Sequence, residues 1–172
     1  MPVPSMDLYL RRISIPTHRG LTYRFRTNTV QLPLAYPLPD DDFYGYLPAR
    51  YNTKYRDIKL WVLSVGWMAT FLIAKLGQVF VPSKRHMLPL YRNHVNDQWT
   101  DFVTQVYENG REKWQYMFPE HDTAIVQLHK LCQQTLAFEN YVAEAYVAFL
   151  NDQKAQGETT FAQERLQAFH LT

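Results

Sequence analysis

The stretch Leu60–Val81, LWVLSVGWMATFLIAKLGQVFV, decides how this chain reads. It has 22 residues and one charge, Lys75. As a helix it would extend about 33 Å, close to the roughly 30 Å hydrocarbon thickness of a bilayer. Its apolar residues lie all round the helix rather than on one stripe, so such a helix expects apolar surroundings on every side. Trp61 and Trp67 sit in its first half, with Arg56 and Lys59 just before it and Pro82-Ser83-Lys84-Arg85-His86 just after. Lys75, about two turns from the far end, can carry its ammonium to an interface along its own stem. These features predict a transmembrane helix over residues 60–82. The competing structure is a central buried helix, which would be long for a core of this size. Basic residues flank both ends, Arg50, Lys54, Arg56 and Lys59 before and Lys84, Arg85 and Arg92 after, so charge does not set an orientation.

Outward from this segment, residues 43–59 (FYGYLPARYNTKYRDIK) form a dense aromatic and basic patch. Residues 1–42 carry prolines at 2, 4, 16, 33, 37 and 39, which break long helices and predict an extended arm lying along a partner. Between Leu8 and Pro39 there are five arginines (Arg11, Arg12, Arg19, Arg24, Arg26) and no acid. That composition fits a mitochondrial targeting segment or an exposed basic arm. On the other side, residues 90–172 predict amphipathic helices. Val95, Trp99, Phe102, Val103, Val106, Trp114 and Met117 recur near helical spacing, with Gly110 a weak point. After Pro119, the residues Ile125, Leu128, Leu131, Cys132, Phe138, Tyr141, Val142, Ala145 and Phe149 make one apolar face. Gly157 stops that helix, and Thr160 with Gln163 has the spacing of a capping box for a short last helix carrying Phe161, Leu166 and Phe169. Two apolar stripes alone make a thin core, so the expectation is a helical hairpin covered by a neighbour. The fold class is therefore an all-α membrane protein with an extended N-terminal arm, one transmembrane helix and a C-terminal amphipathic helical hairpin.

The 172 residues are 47% hydrophobic and 20% charged, which excludes a disordered chain, and the net charge of +2 argues against nucleic acid as a partner. Aromatic residues make up 15%, a bias toward interfaces and membrane boundaries. With the single cysteine Cys132 no intrachain disulfide forms. No Gly-rich phosphate loop is present. None of His18, His86, His94, His121, His129 and His170 pairs with another at the i, i+4 spacing of helical metal ligands. His129 stands three residues before Cys132, too weak a pattern for a nucleophile and its base. Asp40-Asp41-Asp42 reads as a solvated turn. No catalytic, metal or cofactor site is expected, and the chain reads as a non-enzyme. The one candidate site is the collar Arg50, Tyr51, Lys54, Tyr55, Arg56 and Lys59, whose charges beside an apolar helix suit anionic lipid headgroups such as cardiolipin.

At this collar the sequence resembles a family. Leu47-Pro48-Ala49-Arg50-Tyr51-Asn52-Thr53-Lys54-Tyr55, then an apolar helix, then Ser83-Lys84-Arg85-His86, is similar to subunit f of the mitochondrial F-type ATP synthase. That family carries an R-Y-x-x-K-Y type motif on the matrix side, one transmembrane helix and a basic, His-containing end. The resemblance spans Tyr44 to His86. It implies a single-pass inner-membrane subunit without catalytic residues, beside the proton-conducting subunit and the peripheral stalk. Subunit f ends soon after its span, whereas this chain continues to Thr172. An accessory subunit of a respiratory-chain complex, also built from one span, amphipathic helices and an arm, is the alternative.

Overall fold

The computed structural model describes residues 5–25, 27, 29–36, 43–47 and 55–172, with residues 55–57 as backbone only. Among the described residues all regular structure is helical: α1 (Met6–Thr22), α2 (Tyr55–Gly77), α3 (Lys84–His94), α4 (Thr100–Val106), α5 (Asp122–Ala155) and α6 (Thr159–Gln167). A π-helical segment, Tyr107–Lys113, continues α4.

The apolar segment forms α2, five residues shorter at its end than the sequence predicts. Gln78 takes a left-handed φ of 55°, and its side-chain amide donates to the carbonyls of Ala74 and Lys75, closing the helix. Within it, Ile58–Gly77 is long and apolar enough to cross a membrane, with a mean hydropathy of 1.6. Yet 61% of its most apolar window is buried by the rest of the same chain. Trp61, Val65, Met68, Ala69, Phe71, Leu72, Ile73 and Ala74 are sealed from solvent.

Three neighbours provide that cover. The long α5 runs beside α2 in the same direction. Trp61 Nε1 donates to Thr135 Oγ1 at 2.9 Å, Phe71 meets Tyr146 and Phe149 edge to face at 5.7 and 5.8 Å, and Lys75 pairs with Asp152 at 3.6 Å. The last pair gives Lys75 a partner without any membrane, although at this exposure it adds little stability. On a second side α1 runs antiparallel to α2: Gly20 lies against Ser64, Thr17 against Trp67 and Tyr9 against Phe80. On a third side the α4 and π-helical stretch closes in. A Cβ on Gly110 would stand 2.5 Å from Val62 Cγ2, so the glycine is what lets this backbone approach α2.

Two expectations are corrected here. Residues 6–22 are not extended but form α1, opened by Ser5, whose Oγ accepts from the amide of Leu8 at 3.1 Å. Pro16 is tolerated inside it at the cost of one backbone hydrogen bond, and packing of Leu10, Ile13, Thr17, Gly20 and Leu21 outweighs the loss. The irregular stretch 29–36 lies along the molecule's own α5, where Asn140 clasps Leu34 by both its amide and its carbonyl. Second, the predicted helix from Val95 to Met117 is broken. The boundary at residue 90 falls inside α3, the chain turns at 95–99, and only α4 and the π segment are helical beyond. The apolar stripe of α5 packs on α6, α2, α4 and α1.

Gly157 stops α5 as expected, with φ at 99° and Glu158 N–H donating back to the Gln153 carbonyl. The Thr160–Gln163 box does not form. Helix α6 begins at Thr159, and its N-cap residue Glu158 makes no side-chain bond. Phe169 and Leu166 are buried, as the pattern requires.

Candidate functional site

The collar is only partly within the described residues. Arg50, Tyr51 and Lys54 lie outside them, as does the Asp40–Asp42 run. Tyr55 and Arg56 fall in the first turn of α2, and Lys59 is exposed on it. Directly above Lys59 on the helix, one stripe of α2 stays uncovered. Leu60 and Leu63 are half-buried and Trp67 is 37% exposed, at i, i+3 and i+7 spacing. The aromatic and basic segment therefore runs into an apolar ridge on a helix that is mostly enclosed, Leu76 near its far end being exposed as well.

The most concentrated buried chemistry lies elsewhere, at a node that the sequence pattern did not reveal. Arg24, at the end of α1, and Glu139, midway along α5, have fully buried side chains and face each other at 3.3 Å. Arg24 Nη1 also donates to the Tyr44 carbonyl at 2.8 Å, and its guanidinium lies over the rings of Phe25 (4.1 Å) and Tyr46 (4.9 Å). Burial pushes the Glu139 carboxyl upward, against the opposing pull of the Arg24 guanidinium and the Tyr46 hydroxyl. The same burial, with Glu139 beside it, raises Tyr46 well above the ordinary phenol range. Among the described residues neither Arg24 Nη2 nor Glu139 Oε1 has a hydrogen-bond partner. Among the described residues this is the only fully buried ion pair, and it ties α1 to a helix 115 residues further along the chain. A local motif search misses it because an arginine in a basic arm reads as exposed.

The histidines are dispersed. His129 stacks on Tyr44 at 6.2 Å, and His86 Nδ1 meets Ser83 Oγ at 2.8 Å. His18 meets the Tyr146 hydroxyl at 2.9 Å and packs edge to face on Phe169 at 5.4 Å. Desolvation, with the nearby Arg165 charge, pulls His18 from its ordinary 6.5 down to about 4. Cys132 is buried on α5, and no group of three or more His, Cys, Asp or Glu comes together among the described residues. Comparison with known family models, curated proteins and solved structures finds no match to this chain.

Two outcomes follow. Removing one partner of the buried pair leaves an uncompensated charge, so Arg24→Met or Glu139→Leu alone should cost about 3–5 kcal/mol in urea unfolding. The double variant, which refills the site with apolar volume, should recover most of that loss. A double variant no more stable than the single ones would refute this view of the node. For His18 the folded-state pKa lies below the unfolded one, so the unfolded chain takes up the proton first as pH falls. The stability it supplies is present above about 6.5 and is lost on descending toward 4. Wild type should lose about 1–2 kcal/mol over that window, after allowing for partial solvent screening, relative to His18→Gln. Parallel pH profiles of the two proteins would contradict this.

Proposed function

We propose that this chain is a structural, non-catalytic subunit of the membrane sector of the mitochondrial ATP synthase, similar to subunit f. The observation that carries this reading is the Arg50-Tyr51-x-x-Lys54-Tyr55 pattern running directly into α2, an apolar helix of spanning length. The uncovered ridge of Leu60, Leu63 and Trp67 supports it, since it offers lipid or a neighbouring subunit an apolar face just beyond the basic collar. Arg50, Tyr51, Lys54, Tyr55, Arg56 and Lys59 are proposed to hold anionic headgroups, cardiolipin among them.

The packing alters how such a subunit would sit. Helix α2 is not a bare rod: α1 and α5 accompany it along most of its length. The C-terminal region therefore stands beside α2 rather than beyond a lone crossing. In this reading the bundle meets its complex as one body, and the ridge is the part that faces the apolar phase.

The second reading is an accessory subunit of a respiratory-chain complex, which the same ridge and collar would serve. Affinity purification of the tagged chain from its native organelle in mild detergent separates the two. Co-purification with the rotor ring and the proton-conducting subunit is the expected result. Recovery with respiratory oxidoreductase subunits instead overturns the first reading. Carbonate extraction of the same membranes should leave the chain in the pellet, and its release into the supernatant would overturn the membrane assignment.

A further inference from the structure

We propose that the cleft between α1, α2 and the start of α3 binds one acyl chain of an anionic phospholipid, with the phosphate held at Arg12 and Lys84. The cleft has a volume of about 590 Å³, inside the roughly 300–1,000 Å³ range of small-molecule sites. Ile13 and Ile15 of α1 form one wall, Leu63 and Trp67 of α2 the other, with Val81 and Met87 at the side. Tyr107 lies at the floor, packed onto Gly66 where any side chain would collide with its hydroxyl. The Tyr9 hydroxyl accepts from the Val81 amide at 3.1 Å and so fastens the turn after α2 to α1. The walls are apolar and two of their side chains are conspicuously open to water: Ile15 is 48% exposed and Trp67 37%.

The polar groups of this cleft favour negative charge. Arg12 and Lys84 both line it, and among the described residues no acidic side chain does. Ser83, at the N-cap of α3, makes no capping bond with its side chain. The first turn that follows, Lys84-Arg85-His86, contains no acid, so the helix end adds its own positive field. An apolar trough with cationic groups lining it and no counter-charge among them matches a molecule with a hydrocarbon chain and an anionic head. A neutral apolar ligand would leave the two cations unanswered, and a free phosphate would leave the trough empty. This site is separate from the collar at residues 50–59 and does not depend on the subunit assignment.

The test uses the purified full chain and lysophosphatidic acid with a brominated stearoyl chain, kept below its micelle concentration. Trp67 is the tryptophan in the cleft, so bound bromine should quench fluorescence saturably, and Trp67→Phe should remove most of that quenching. Arg12→Gln with Lys84→Gln, both on the surface, should weaken binding about tenfold or more. Lysophosphatidylcholine with the same chain, which carries no net charge, should bind wild type correspondingly more weakly. Quenching that does not saturate, that survives loss of Trp67, or that is equal for the two headgroups and unaffected by the double variant would overturn the proposal. Because no membrane or partner is used, failure here leaves the subunit reading standing, and failure of that reading leaves this site standing.

Discussion

A helix apolar around its whole circumference needs apolar neighbours on every side, and that requirement organises this molecule. Helix α2 meets it by drawing α1 from before it and α3, α4 and α5 from after it onto its surface. The closest approaches occur where residues are small: Gly20 against Ser64, and Gly110 against Trp61 and Val62. Where a polar group is carried into the interior it finds a partner from the covering helix, as when the Trp61 indole donates to Thr135. An unmet indole N–H there would cost about 1–3 kcal/mol, so the hydrogen bond fixes the register of α5 along α2 as well as contributing to stability.

The Arg24–Glu139 pair adds a second constraint of a different kind. A buried ion pair contributes little net energy compared with apolar residues of the same volume, because both charges lose their water. It does penalise arrangements in which either charge is buried alone. Joining the end of α1 to the middle of α5 thus selects one docking of the N-terminal helix among those that its apolar face would permit. The aromatic rings of Phe25 and Tyr46 against the guanidinium offset part of the desolvation.

Much of this was legible in the residues and some was not, for physical reasons. The apolar helix, the all-helical class, the buried stripe of α5 from Leu128 to Phe149 and the stop at Gly157 all follow from periodicity and composition. Helix α1 was hidden because its inward face uses Ser14, Thr17 and Gly20, small residues that register as polar or neutral, and because Pro16 reads as a breaker. The helix expected from Val95 to Met117 fails at its start, where the chain turns at 95–99 with Asn96 at a left-handed φ of 45°, and residues 107–113 continue α4 as a π-helix against α2, neither of which local spacing contains. The collar was readable as a motif. The cleft was not, since Arg12 of α1 and Lys84 of α3 come to line it together only after both helices have packed on α2. The central burial of α2 was the competing structure at the sequence level. It reads as long for a core of this size, and in the fold Lys75 pairs with Asp152 of α5.

The central claim is that α2 is enclosed by its own chain, and the contact between Gly20 and Ser64 tests it most directly. A Cβ at Gly20 would lie 3.4 Å from that of Ser64, at the short edge of the roughly 3.5–4.5 Å separation that a disulfide spans. In a Gly20→Cys, Ser64→Cys variant, mild oxidation of the chain in its native membrane or complex, followed by peptide mass spectrometry, should show this crosslink as the dominant product. Two free thiols after oxidation, in a protein that remains folded and assembled, would mean that α1 does not lie on α2 and would contradict the account.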